Sequence, residues 1–249
     1  MGAKSRAGGA VLETAMVLGA GLGTRMAPAS GKLPKPLVPL QGRALIDHVL
    51  DRLAAAGCKR AIVNLHHKAD LLEQHLKGRR APAIELSDER AALLDTGGGV
   101  KKALPRLGAG PFLIHNSDSV WIEGVGSNLA QLVAGWDDAR MDCLMLLALA
   151  SASYGYQGRG DFAFESDGRI RRKHAEQEIV PFAFTGVSIA HPRLFEGAPD
   201  GAFSLNVLWD RAIAAGRAYG IRMGGIWMHV GTPEALAQAE AALQGAERG

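Results

Sequence analysis

The chain predicts a single α/β domain on a Rossmann-like, doubly wound mixed sheet. Short apolar runs at 14–18, 61–65, 111–115 and 143–150 alternate with helical patterns, the order that buries a sheet between two helical layers. The first run empties into a glycine-rich turn, Gly19-Ala20-Gly21-Leu22-Gly23, at the strand end where open α/β sheets bind ligands. The second half changes character. There Asp167-Gly168 lies between 162–165 and 170–172 as a hairpin signal, and 184–190 reads as a further strand, so antiparallel strands should join the sheet.

Taken in order, residues 1–10 lack a hydrophobic signal core, and 1–13 are expected as a disordered tail ahead of a domain at 14–245. The pattern 44–56 sets Leu45, Ile46, Val49, Leu50 and Leu53 on one helical stripe and stops at Gly57, a natural left-handed cap. After the 61–65 strand come His66 and His67; adjacent strand residues point to opposite faces, so these read as solvated loop histidines rather than a metal pair. Likewise 77–80 and Lys101-Lys102 read as solvated basic faces. Asp95-Thr96-Gly97-Gly98-Gly99 precedes a short helical pattern at 100–104, and three successive glycines there suggest that something flat, such as a nucleobase and ribose, approaches the backbone. Ser204 and Thr232 are plausible N-caps, the latter with Pro233 at the first helical position, for helices ending near Ala215 and Leu243.

Composition narrows the function. The chain has 249 residues, 47% of them hydrophobic, and a formal net charge of +3 from 28 basic and 25 acidic residues. Interspersed charges of both signs lack the basic field of a nucleic-acid binder, so small phosphorylated substrates are expected and nucleic acid is not. The longest apolar run, 143–150, falls well short of the roughly 20 residues that span a bilayer, which argues against a membrane partner. Cys58 and Cys143 have no Cys-x-x-Cys neighbours and read as reduced structural thiols of a cytoplasmic protein.

The glycine turn reads as a phosphate clamp. Glycines let backbone N–H groups approach phosphate oxygens, and Arg25 and Lys35, the latter inside Pro34-Lys35-Pro36, supply a planar fork and a point charge nearby. Two commoner motifs do not fit. A P-loop would need glycine where Met26 stands before Gly31-Lys32, and Leu33 follows instead of serine or threonine. A dinucleotide fingerprint would need a helix where Pro28, Pro34, Pro36 and Pro39 break the chain.

From Gly19 to Pro39 the chain resembles the sugar-1-phosphate nucleotidylyltransferases, with their Gly-x-Gly-Thr-Arg and Pro-Lys-Pro signature. The resemblance continues in family order through Asp95-Thr96-Gly97-Gly98-Gly99, Asn116-Ser117-Asp118, Gly160-Asp161-Phe162, Thr185-Gly186 and Val230-Gly231-Thr232-Pro233. Within the family it is most similar to the bacterial N-acetylmuramate-1-phosphate uridylyltransferases of cell-wall recycling. The resemblance implies the nucleotidyltransferase (glycosyltransferase-A-like) fold, and a reaction in which a sugar-1-phosphate attacks UTP and expels pyrophosphate.

By the same resemblance Arg25, Lys35 and Asp118 are catalytic, with Arg25 on the departing phosphates and Lys35 on the α-phosphoryl group. Leu18, Gly19, Ala20, Gly21, Gly23, Thr24, Arg25, Asp95, Thr96, Gly97 and Gly98 are expected to bind nucleotide. Asn116, Gly160, Asp161, Glu178, Thr185 and Gly186 are expected around the sugar. Mg2+ is the implied cofactor, with Asp118 as ligand; many members place a second aspartate where this chain has His229, and a neutral imidazole is a poor ligand for that hard cation. The same clamp would serve a mannose-1-phosphate guanylyltransferase or another hexose- or heptose-1-phosphate enzyme. A phosphocholine-type cytidylyltransferase and a non-catalytic nucleotide-sugar-binding domain are more distant alternatives, and the intact clamp argues against the last.

Overall fold

The computed structural model describes residues 12–26 and 31–246; the expected tail at 1–11 and Pro28 lie outside the described residues. Leu12 is buried, and the carbonyl of Glu13 accepts the N–H groups of Lys59 and Arg60. These two residues, expected in the tail, pack as part of the folded body.

Strand β1 (Thr14–Leu18) and the two-residue ribbon β2 (Pro39–Leu40) and β3 (Arg43–Ala44) precede helix α1 (Leu45–Ala55). Alternating units follow: β4 (Arg60–Leu65), α2 (Ala69–Leu76), β5 (Ala83–Asp88), α3 (Asp95–Leu107) and β6 (Phe112–Asn116). Then come β7 (Ser119–Glu123), α4 (Asn128–Ala134), β8 (Cys143–Leu149), β9 (Phe162–Phe164), β10 (Ile170–Arg172) and β11 (Phe182–Ala190). The chain closes with α5 (Asn206–Ala214), β12 (Ala218–Arg222), β13 (Gly225–His229) and α6 (Pro233–Ala246).

The main sheet runs β10-β9-β11-β6-β1-β4-β5, with β8 pairing to β11 and β12. Strands β5, β4, β1 and β6 are mutually parallel, whereas β11 is antiparallel to β6, β8 and β9. Connections from β1 pass to β4 and β5 on one side and return to β6 on the other, so the strand order reverses at β1 and β6. That reversal opens a crevice beyond their C-terminal ends.

Strand alternation distributes the core. Ala15 and Val17 face the layer holding Ile46, Val49, Leu50 and Leu53 of α1, while Met16 faces Val100, Ala103 and Leu107 of α3. The α1 stripe is buried as its periodicity predicts, and Gly57, at φ 92°, ends it. A third cluster joins Val120 of β7 and Met228 of β13 to Met26, Val38 and Leu40. It therefore anchors Met26, next to Arg25, and Val38, three residues after Lys35.

Two helix starts differ from expectation. The three glycines belong to the first turn of α3 rather than to a loop before it. Leu205, not Ser204, directly precedes α5, and its N–H donates to the Thr96 hydroxyl at 2.9 Å; the Ser204 hydroxyl, one residue earlier, still caps the start by accepting the Asn206 N–H at 3.3 Å. Thr232 behaves as predicted, accepting the Ala235 N–H at 3.2 Å. The basic pair is also less free than a solvated face implies, since the Lys101 ammonium donates to the Ala198 and Pro199 carbonyls, each at 2.8 Å.

Candidate active site

The glycine turn leaves β1 at Leu18 and is held from below. The Gly19 N–H donates to Asn64 Oδ1 at 2.7 Å, and Asn64 Nδ2 donates to Glu89 Oε1 at 2.8 Å. Glu89 is 1% exposed, and its other oxygen accepts the Leu94 N–H at 3.2 Å. A buried carboxylate needs such donors; in exchange it fixes the turn relative to the segment that enters α3. A Cβ on Gly23 would lie 2.8 Å from Cβ of Lys35, and Gly23 has φ 61°, so the glycine turn and the Lys35 segment touch because this residue is glycine.

Lys35 starts a single 3-10 turn, Lys35–Leu37, closed by the Leu37 N–H on the Pro34 carbonyl at 2.9 Å. Its ammonium pairs with the Asp118 carboxylate; the two side chains are 13% and 27% exposed. Asp118 lies between β6 and β7, beside Ser117, whose N–H donates to the Leu18 carbonyl at 3.1 Å. The pair therefore stands at the mouth of the crevice.

Two cavities meet at that pair. One, of about 450 Å³, runs between the glycine turn and Leu93, Asp95 and Thr96. The other, of about 400 Å³, opens toward β10, β11 and β13. Both are lined by Lys35, Asn116 and Asp118. Leu18, Gly19, Ala20, Gly21, Gly23, Asp95 and Thr96 border the first; Arg25, Asp161, Thr185, Gly186 and His229 border the second. Arg25 thus stands on the side of the second cavity, whereas Thr24 lines neither and belongs to the 3-10 turn Thr24–Met26.

Four residues expected to meet a ligand serve the fold instead. A Cβ on Gly97 would lie 2.3 Å from the Phe203 ring, and one on Gly98 would lie 2.2 Å from the Gly201 carbonyl oxygen. Both N–H groups donate to the Phe203 carbonyl, at 2.8 and 3.2 Å. These glycines make room for the 201–203 segment rather than for a base. A Cβ on Gly160 would meet the Val180 carbonyl at 1.9 Å, again a close approach of chain to chain. Glu178 accepts the His174 N–H and pairs with Arg171 at 3.1 Å, and the His174 N–H, then Arg171, hold its carboxyl below the usual range. It lines neither cavity.

The remaining polar groups of the second cavity are ordered by backbone. Asp161 Oδ2 accepts the Phe184 N–H at 2.9 Å, and Thr185 Oγ1 donates to the Leu146 carbonyl at 2.8 Å. Gly186 has φ 83°, and a Cβ there would lie 2.7 Å from Asn116 Nδ2. His229 lies edge-on to Tyr156, with ring centroids 6.3 Å apart. Burial, then the Lys35 charge, pushes its imidazole below the ordinary histidine range, so it is neutral near pH 7. Among the described residues no three histidine, cysteine or acidic side chains group as a metal cage.

Sequence reasoning missed Asn64 and Glu89, and also Arg172, Asn206 and Trp209, which border the second cavity. Asn64 is the next-to-last residue of β4, and a polar residue interrupting the apolar run 61–65 was its available signal. The others lie on secondary elements whose facing only the folded chain defines.

The comparisons agree with this architecture. The model of the MobA-like NTP transferase domain matches residues 15–148. The chain is 49% identical, over 93% of its length and 97% of the relative's, to an N-acetylmuramate alpha-1-phosphate uridylyltransferase of Caulobacter vibrioides. It is 31% identical to an enzyme of the same name from Neisseria meningitidis serogroup B, over 91% of this chain and 96% of that one. A UDP-glucose pyrophosphorylase solved with UDP-glucose superposes with a TM-score of 0.79 at 15% identity, covering 94% of this chain and 99% of its own. The family match spans more than half of the chain, and the relatives cover nearly all of it: the chain belongs to the MobA-like NTP transferase domain family.

Proposed function

We propose that the chain transfers a uridylyl group from UTP to N-acetylmuramate 1-phosphate, forming the UDP-sugar and pyrophosphate, a step of cell-wall recycling. The observation that carries this reading is the meeting of two cavities at one cation and one carboxylate, Lys35 and Asp118. Nucleotide transfer to a phosphate needs two anionic substrates brought end to end. The first cavity, bordered by the glycine turn, suits the nucleotide; the second, with its polar and aromatic wall, suits the sugar. Uridine and muramate are supported by the names of the two relatives.

The nucleophile is a phosphate oxygen that is already ionised, so no protein base is required. Lys35, at the junction, is placed to neutralise charge on the α-phosphoryl group as the new P–O bond forms and the bond to pyrophosphate breaks. Arg25 adds a second cation from the sugar side. Asp118 suits Mg2+ as the single carboxylate of a shell completed by substrate phosphates and water, and Lys35 neutralises that carboxylate when no metal does. When bound, Mg2+ would spread the phosphate charge. His229, neutral and nitrogen-donating, is not needed as a ligand.

The two thiols, Cys58 and Cys143, are free and buried, each pushed up to about 12 by burial. They carry no chemistry, which accords with a reducing, cytoplasmic setting. A matrix of four nucleoside triphosphates against muramate, glucosamine and mannose 1-phosphates, read by pyrophosphate release, tests the reading. UTP with N-acetylmuramate 1-phosphate should give the highest kcat/KM. A preference for GTP would replace it with the guanylyltransferase alternative.

A further inference from the structure

Arg172, on β10, borders the second cavity and is held from three directions. Its Nε donates to Asp210 Oδ1 at 2.7 Å, and its Nη2 donates to Asn206 Oδ1 at 2.7 Å. The guanidinium carbon sits 4.8 Å from the centre of the Phe162 ring. Its Nη1 makes no hydrogen bond among the described residues, and the side chain is 32% exposed. This is a pre-oriented fork with an open edge.

Arg25 borders the same cavity and is assigned above to the phosphate junction; the other charges are differently engaged. Lys35 is paired with Asp118, and Asp161 accepts a backbone N–H. His229 is neutral. Phe184 and Trp209, edge to face with centroids 4.8 Å apart, line the same cavity beside Asn206. The cavity thus presents a guanidinium held on one side, with Nη1 open, next to an aromatic wall, in addition to the cations at the phosphate junction.

We infer that Arg172 is a specificity-determining residue that reads a carboxylate on the sugar 1-phosphate. The inference rests on the nucleotidyl-transfer reading above. N-acetylmuramate differs from N-acetylglucosamine by a lactic acid ether, which carries one carboxylate and one methyl group. A planar fork matches the carboxylate geometrically, and the aromatic wall offers the methyl an apolar surface. A sugar without the ether leaves the open edge of the guanidinium to water. Asp210 is bonded through Nε and is itself 58% exposed, and Asn206 takes one Nη2 hydrogen, so Nη1 and the second Nη2 hydrogen remain for an end-on carboxylate.

The test compares kcat/KM for N-acetylmuramate 1-phosphate with that for N-acetylglucosamine 1-phosphate, UTP being held constant, in wild type, Arg172→Met, Arg172→Lys and Asp210→Asn. The ratio should fall about 10- to 100-fold in Arg172→Met, the range expected for charge-assisted hydrogen bonds. Arg172→Lys should retain part of it, because charge and stacking survive while the fork is lost. Asp210→Asn, which breaks only the ion pair, should keep the ratio; a purely structural arginine would make the two variants alike. If Arg172→Met does not fold, the same ratio in Arg172→Lys decides. An unmoved ratio, or a wild-type ratio near one, overturns the inference. If the wild type prefers another nucleotide, the uridine reading fails while the ratio is measured with that nucleotide. Absence of turnover with every pair overturns both.

Discussion

Alanine at Gly98 should destabilise the fold without touching the nucleotide. A Cβ there would lie 2.2 Å from the Gly201 carbonyl oxygen, where an ordinary contact needs about 3.5 Å. The 201–203 segment would have to retreat by roughly 1 Å, stretching the bonds from Gly97 and Gly98 to the Phe203 carbonyl and from the Phe203 N–H to Leu94. If two of these three bonds are lost, the cost is about 2 kcal/mol, and partly uncovering Phe203 adds about 1 kcal/mol. The helix preference of alanine over glycine offsets about 1 kcal/mol. The net loss of about 2 kcal/mol corresponds to a Tm lower by roughly 4–8 °C in a chain of this length. Thermal unfolding followed by far-ultraviolet circular dichroism measures it, with Gly245→Ala as control. Gly245 lies in α6 with nothing within 4 Å of its Cβ position, so its variant should melt at or above the wild type. A Gly98→Ala protein that melts like wild type but shows a large rise in KM for UTP would refute the packing account and return the glycines to the nucleotide.

Lys35→Met should lower kcat by about 100-fold or more, the scale of losing one preorganised group from a charged transition state, while Tm shifts little because Lys35 sits outside the apolar clusters. Pyrophosphate release within threefold of wild type would remove Lys35 from the reaction. His115 sets an acid limb of stability. It is fully buried, donates Nδ1–H to the Asn116 carbonyl at 2.8 Å and stacks on Trp121, and burial pushes its pKa down to about 4. With the folded value below the ordinary 6.5, protons bind the unfolded chain first. The stabilisation is therefore present above pH 6.5 and is lost as pH falls toward 4. Between pH 7 and 5 the loss is about 2 kcal/mol, read as a shift in urea midpoint. His115→Gln should flatten that limb, and an equally steep profile would assign it to other groups.

The strand runs, the α1 stripe with its glycine stop, the 167–168 hairpin and the clamp residues were legible in the sequence. Each is written in local periodicity or in turn chemistry, which neighbouring residues determine together. The α/β class followed from their alternation, and the resemblance rested on short motifs that keep their order along the chain. Tertiary structure decided which of those residues face the crevice. Gly97, Gly98 and Gly160 looked like ligand contacts, but their missing side chains accommodate Phe203, Gly201 and Val180, residues brought there from far along the chain. Glu178 was drawn off by Arg171. Asn64 and Glu89 hold the glycine turn across β4 and the β5–α3 connection, and Arg172 enters the second cavity from the edge strand β10. Sequence periodicity says which side of its own element a residue occupies. Whether that side meets a ligand, a core or another loop depends on long-range packing, and only the assembled sheet and its crevice define it.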